Sequence, residues 1–219
     1  MRRPFLALAA VDAVFIALSL LRSVLDETAY APLLQDERLY VAHDGGYAEW
    51  FQYAKAGFCA LVLLRLFARD RSLTLLGWAL VFAFVLADDA LSLHEAFGDA
   101  LLASASLPAV LGLSGRLYAE PLFWALVGVP LAGLVGVGYR RDPSTRPLTR
   151  RLLLLFAALF FFAGALDALH AALEADYAAA RYAVFVTTLL EDGGEMLVLS
   201  LTVAYLAFYS GLLGGTRKA

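Results

Sequence analysis

Apolar residues along this chain gather into runs of about twenty, separated by short polar stretches that hold most of the charge. The runs fall at about 4–22, 49–68, 73–95, 118–138, 151–174 and 183–212. A helix crosses the hydrocarbon core of a bilayer with about 20 apolar residues. The pattern therefore predicts an all-α integral membrane protein, a single bundle of six transmembrane helices. A further apolar stretch, 99–115, is shorter and is interrupted by Pro108. We read it as interfacial or re-entrant, with a seventh span as the alternative. The first run follows Arg2 and Arg3 but contains Asp12, and Arg22 and Leu25 stand where a cleavage site needs small residues. It reads as a retained span and not as a signal peptide.

Composition strengthens this reading. Of 219 residues, 62% are hydrophobic and 17% charged, and the mean hydropathy is +0.74. Soluble domains carry roughly 45–50% apolar and about 25% charged residues. A soluble enzyme, a disordered tail and a disulfide scaffold are excluded, the last also by the presence of one cysteine, Cys59. The formal net charge is −3, and no basic stripe with interleaved aromatics is present, so no nucleic-acid partner is expected.

Charge placement predicts orientation. One set of ends carries Arg2, Arg3, Arg65, Arg69, Arg71, Arg140, Arg141, Arg146, Arg150, Arg151, Arg217 and Lys218, 12 of the 17 basic residues. By the positive-inside rule these ends are cytoplasmic, both termini included. The expected location is a bacterial inner membrane, multi-pass.

Acids inside membrane helices are costly, roughly 2.5–3.5 kcal/mol each at a helix centre. Here they recur at one depth, toward the periplasmic side. The third run carries Asp88, Asp89, His94 and Glu95; the fifth carries Asp167, His170 and Glu174; the sixth carries Glu191, Asp192 and Glu195; the second carries Glu49, Gln52 and Lys55. Asp167, His170 and Glu174 share a helix face, as do Glu191 and Glu195, and Asp88 and Glu95 lie on one stripe with Ser92 between them. Gly193 and Gly194 would let another helix approach the last group closely. The residues predict one polar site between four helices. Asp12 is read as an interhelical hydrogen bonder, and Lys55 as ion-paired or snorkelling.

So many carboxylates in low dielectric need a metal, protonation, or a counter-charge with water. Histidine with carboxylate is the ligand set of zinc, non-haem iron and manganese. We expect Asp88, Glu95, Asp167, His170, Glu191 and Glu195 to be the ligand pool for a divalent metal, zinc first, with iron or manganese as alternatives. His94 and Asp192 are the acid–base candidates. The function this implies is metal-dependent hydrolysis of a lipid-like substrate, with membrane lipid as surroundings. Two alternatives stand beside it. One is a proton- or cation-coupled transporter. The other is an accessory subunit of a membrane complex, with a homo-oligomer or complex partner.

The stretches ADDALSLHE (87–95) and LLEDGGEML (189–197) resemble paired motifs of a broad family of uncharacterised bacterial multi-span proteins. That family carries Asp-Glu-x-x-x-x-His-Glu in one helix and Glu-Glu-x-x-Glu-Met in its last. The matching residues are Asp88, Asp89, His94, Glu95, Glu191, Asp192, Glu195 and Met196, with Asp89 and Asp192 where the family has Glu. DALHAALEAD (167–176) is fainter, and is similar to the histidine helix of alkaline ceramidase-like membrane hydrolases. That resemblance implies zinc and hydrolysis. Their terminal His-x-x-x-His is absent, and Glu191 and Glu195 occupy a comparable place.

Overall fold

The structure, a computed structural model, describes residues 1–25, 36–104, 116–166, 169 and 177–212. The described residues are all helical or irregular, with no strand among them. Among the described residues seven α-helices occur in chain order: α1 (Arg2–Leu25), α2 (Tyr47–Asp70), α3 (Leu73–Leu91), α4 (Leu93–Ser104), α5 (Arg116–Arg141), α6 (Arg146–Phe160) and α7 (Tyr177–Tyr209). A π-helical turn, Phe161–Leu166, continues α6. Among the described residues, five helices are long and apolar enough to cross a membrane: Arg2–Ser23, Tyr47–Asp70, Leu73–Leu91, Pro121–Arg141 and Pro143–Leu166. The sixth expected span corresponds to α7, which is long but carries Glu191, Asp192 and Glu195 in its middle. Apolar side chains stand widely open on these helices, as on Leu61 (68% exposed), Val129 (69%) and Leu154 (73%). Exposed apolar surface on this scale fits a lipid-facing protein and would be a liability in water.

The chain forms two compact units, residues 1–55 with 150–219, and residues 56–149. In the first, α1 packs along α7, and α7 packs on the π-helical turn. Glycines set the closeness of these crossings. A Cβ at Gly193 would meet the Ile16 side chain at 3.0 Å, and one at Gly194 would run into the Phe162 ring. The expected role of this glycine pair in close helix approach is therefore met. A short segment before α2 folds over the unit, where Val41, Ala48 and Met196 form a buried cluster lined by Phe15, Phe51 and Leu189. Its backbone is tied down by Val41 N–H donating to Ser19 Oγ at 3.4 Å. The Arg38 guanidinium beside Asp36 holds that carboxyl below its usual range.

In the second unit, α3 and α4 both pack on α5. Gly77 and Gly138 make the α3–α5 crossing tight: a Cβ at Gly77 would lie 2.8 Å from Val135 Cγ2, and one at Gly138 would collide with the Thr74 backbone. Backbone cannot move aside as a flexible side chain can. Gly138→Leu is thus expected to lower stability by about 1–3 kcal/mol or more. Gly136→Leu on the same helix, where a Cβ meets nothing within 4 Å, serves as the unaffected control. Thermal unfolding of the two purified variants checks this.

The run 73–95, expected as one helix, is two. α3 ends at Leu91, Ser92 turns left-handed (φ 46°, ψ 46°), and α4 starts at Leu93. His94 and Glu95 therefore leave the α3 face. The expectation that Asp88 and Glu95 share a helical stripe is corrected by this break. Residues 99–104 of the short apolar stretch belong to α4, and its remainder lies outside the described residues.

Candidate functional site

The break at Ser92 creates the chemistry of the second unit. Asp88, the fourth residue from the end of α3, is fully buried. Its Oδ1 accepts the His94 backbone N–H at 2.9 Å, and its Oδ2 lies 3.0 Å from His94 Nδ1. One carboxylate thus satisfies an amide in the first turn of α4, which no intrahelical bond can reach, and also fixes the imidazole beside it. A continuous helix could not bring residues six apart into this contact, since they would lie about 120° apart around the axis and about 9 Å apart along it. The His94 ring stacks near Trp124 at 6.5 Å between centroids, and Trp124 packs edge-on against Phe84 at 5.1 Å. His94 is about a quarter exposed, so a buried acid holds a partly open base against an aromatic wall. Glu95 is exposed and Asp89 is half-buried.

Because the dyad depends on the left-handed turn, Ser92 controls it. A β-branched residue resists this backbone region by about 1–2 kcal/mol, whereas glycine adopts it freely. Ser92→Val should lower the melting temperature and Ser92→Gly should not, as circular dichroism melts of the two variants would show.

The first unit holds a different set. Asp12 on α1 and Lys55 on α2 form an ion pair at 3.0 Å, with side chains 0% and 2% exposed. Lys55 Nζ also donates to the Met196 carbonyl at 2.9 Å and to Ser200 Oγ at 3.4 Å. Ser200 Oγ donates to Asp12 Oδ2 at 2.5 Å. The ammonium's three protons therefore have three oxygens. Lys55 is ion-paired as expected, and the Asp12 side chain does bond between helices. The partnership of Asp12 with Lys55, and the part of Ser200, were not read from the sequence. The available signal was an isolated acid and an isolated lysine in neighbouring hydrophobic runs.

On α7, Glu191, Asp192 and Glu195 are half-buried. Asp44 and Glu49 stand close enough to Asp192 to act on it electrostatically. Glu49 is itself bonded by Gly45 N–H and the Tyr53 hydroxyl. Asp167, His170 and Glu174 lie outside the described residues. Among the described residues, no three His, Cys, Asp or Glu side chains converge as metal ligands would. Of the residues expected at one site, Asp88, His94 and Glu95 fall in the second unit, and Glu191, Asp192 and Glu195 in the first.

A family model described as a domain of unknown function (DUF8692) matches residues 5–208. No curated protein matches the chain, and no solved structure does.

Proposed function

We propose that this chain, which belongs to the DUF8692 family, is a multi-pass membrane hydrolase of lipid-like substrates, with His94 as its proton-transfer group. The observation that carries this reading is the Asp88–His94 pair. With Nδ1–H directed at Asp88, Nε2 is the basic nitrogen, and the imidazole is fixed in one orientation. The buried carboxylate stabilises the imidazolium that forms when Nε2 takes a proton from an attacking water, and the same proton then passes to the leaving group. Asp88 acts as a positioning residue, since both its oxygens serve His94. Trp124 and Phe84 offer an apolar wall beside the base. In this reading the chain has six spans, counting α7, with cytoplasmic termini in a bacterial inner membrane.

The divalent metal is a separate part of the proposal and rests on the sequence. Glu191 and Glu195, one turn apart on α7, would hold it together with Asp167 and His170; zinc is preferred, and iron or manganese would also suit the donors. A bound metal would supply Lewis acidity for the attack of water.

Lipid extracts of cells expressing the wild type or His94→Ala, compared by mass spectrometry, test the hydrolase. Acyl- or headgroup-cleaved species should accumulate with the wild type alone. Identical lipid profiles would overturn the reading. Elemental analysis of the purified protein beside a Glu191→Ala/His170→Ala variant tests the metal, which should be near-stoichiometric in the first and lost in the second. Metal-free folded protein that resists reconstitution would remove that part.

A further inference from the structure

The polar turns at one end of the second unit collect charge of one sign. The ends of α2 and α5, with the turns that follow them, carry Arg65, Arg69, Arg71, Arg140, Arg141 and Arg146, against Asp70 and Asp142. The two turns are neighbours. Thr145 Oγ1 donates to Thr74 Oγ1 at 3.1 Å, a Cβ on Gly138 would collide with the Thr74 backbone, and Asp70 acts electrostatically on Asp142. Both carboxylates are engaged within their own turns. Asp70 takes Arg69 in a two-point pair, Nε to Oδ1 at 2.8 Å and Nη2 to Oδ2 at 3.2 Å. Asp142 Oδ1 accepts the Ser144 hydroxyl at 2.6 Å and the Ser144 N–H at 3.1 Å. The Arg146 guanidinium folds over the Tyr139 ring and donates to the Tyr139 carbonyl at 3.1 Å, which closes the end of α5. Arg71, Arg140 and Arg141 are exposed. Six arginines against two aspartates leave this end with an excess of four positive charges.

A second observation comes from the backbone. Arg71 follows α2 in the left-handed region, at φ 53°, with its N–H bonded to the Phe67 carbonyl at 2.7 Å. Glycine takes this helix-ending conformation freely, whereas a residue with a Cβ adopts it at a cost of about 1–2 kcal/mol. A charge that only marks membrane orientation could stand at any nearby position. An arginine held in strain where the chain reverses is a positioned cation. Depth adds a third. Candidate membrane-spanning stretches end or begin here at Asp70, Leu73, Arg141 and Pro143. The guanidiniums therefore stand where apolar helix meets water, at the depth of lipid phosphates. Apolar side chains continue two of them toward the hydrocarbon: the Phe67 ring, 6.0 Å from the Arg71 guanidinium carbon, and Val137, 44% exposed and one turn before Arg141.

We propose that Arg71, Arg140 and Arg141 form a docking surface for an anionic phospholipid, with its headgroup phosphate on the guanidiniums and its acyl chains along α2 and α5. Guanidinium forks match phosphate oxygens in pairs, and an anionic headgroup neutralises the excess charge. A zwitterionic lipid brings its own ammonium and leaves that excess in place. In the orientation proposed above, the surface faces the inner leaflet. The inference rests on the membrane reading of the chain and not on hydrolysis, and it uses neither His94 nor a metal. The surface lies within the second unit alone.

The test is the melting temperature of the full chain in neutral detergent as phosphatidylglycerol is added, against phosphatidylcholine at the same mole fraction. The wild type should gain at least about 4 °C, saturably, with phosphatidylglycerol and not with phosphatidylcholine. Arg71→Gly should melt no lower than the wild type without lipid, because glycine relieves the left-handed turn, yet it should lose at least half of the gain. Arg140→Gln/Arg141→Gln should lose the gain as well. Arg2→Gln/Arg3→Gln, which removes two exposed charges from the first unit, should keep it. Inorganic phosphate and glycerol phosphate, added in place of lipid, should give no gain. The proposal is overturned if phosphatidylglycerol does not exceed phosphatidylcholine with the wild type, if the soluble phosphates match it, or if Arg71→Gly keeps the full gain. It is equally overturned if losing Arg2 and Arg3 reduces the gain as much as losing Arg140 and Arg141. Carbonate extraction of cell membranes reads out the membrane reading separately. A chain that stays in the membrane but shows no lipid preference overturns this inference and leaves that reading standing.

Discussion

Lys55→Met should cost this protein about 3–5 kcal/mol, because it leaves the Asp12 carboxylate buried without its counter-charge. Asp12 is 0% exposed and its remaining partner would be the Ser200 hydroxyl, one hydrogen bond against a whole charge. The double variant Asp12→Leu/Lys55→Met should recover most of that loss. Replacing a buried ion pair by apolar groups of similar volume removes two desolvation costs together with the attraction. The comparison is made by thermal unfolding in one detergent without added alkali salt, with monodispersity by size exclusion as the check on folding. Equal losses in the single and double variants would mean that packing of the Lys55 stem matters more than its charge.

On the proposed function, His94→Ala should lower hydrolysis by about 10²–10⁴-fold, the usual contribution of a positioned acid–base group. Folding should be nearly unaffected, because the His94 amide, which the substitution keeps, is the group that Asp88 caps. Asp88→Asn separates the two roles of that carboxylate. The amide oxygen can still accept the His94 backbone N–H, but the side-chain NH2 cannot accept from Nδ1–H. Turnover should therefore fall with KM almost unchanged, while the melting temperature moves little. A loss of KM and stability with kcat retained would make Asp88 a structural cap and nothing more.

The helices were legible in the sequence, because a run of twenty apolar residues has few other uses. Their ends were less so. The run 73–95 reads as one helix since nothing in its hydropathy marks Ser92. The mark is chemical: Ser92 followed by Glu95 is the sequence form of a capping box, a helix start inside an apolar run. In the structure the capping is done by Asp88, from the preceding helix, across the left-handed residue. That substitution depends on a backbone turn, which no periodicity encodes. The acids were legible as expensive and therefore purposeful, but which of them meet was not. Asp88 pairs with His94 and not with the Glu95 stripe, because the break rotates Glu95 outward. Asp12 pairs with Lys55 although 43 residues separate them, because Gly193 lets α7 close on Ile16 of α1 and sets the frame in which Ser200 and Met196 face the pair. Gly138 shows the same logic in the second unit, where one missing side chain sets the approach of α5 to α3.

The reading proposed above makes His94, held by Asp88, the proton-transfer group in hydrolysis of a lipid-like substrate. Its most direct measurement is product release from a panel of ester-, amide- and phosphate-linked lipids by the purified full chain in lipid nanodiscs, beside His94→Ala. The wild type should cleave at least one linkage class, and the rate should fall at least about 100-fold in a variant that remains folded. Cleavage at the same rate in both proteins, or of no linkage in the panel by the wild type, would contradict it.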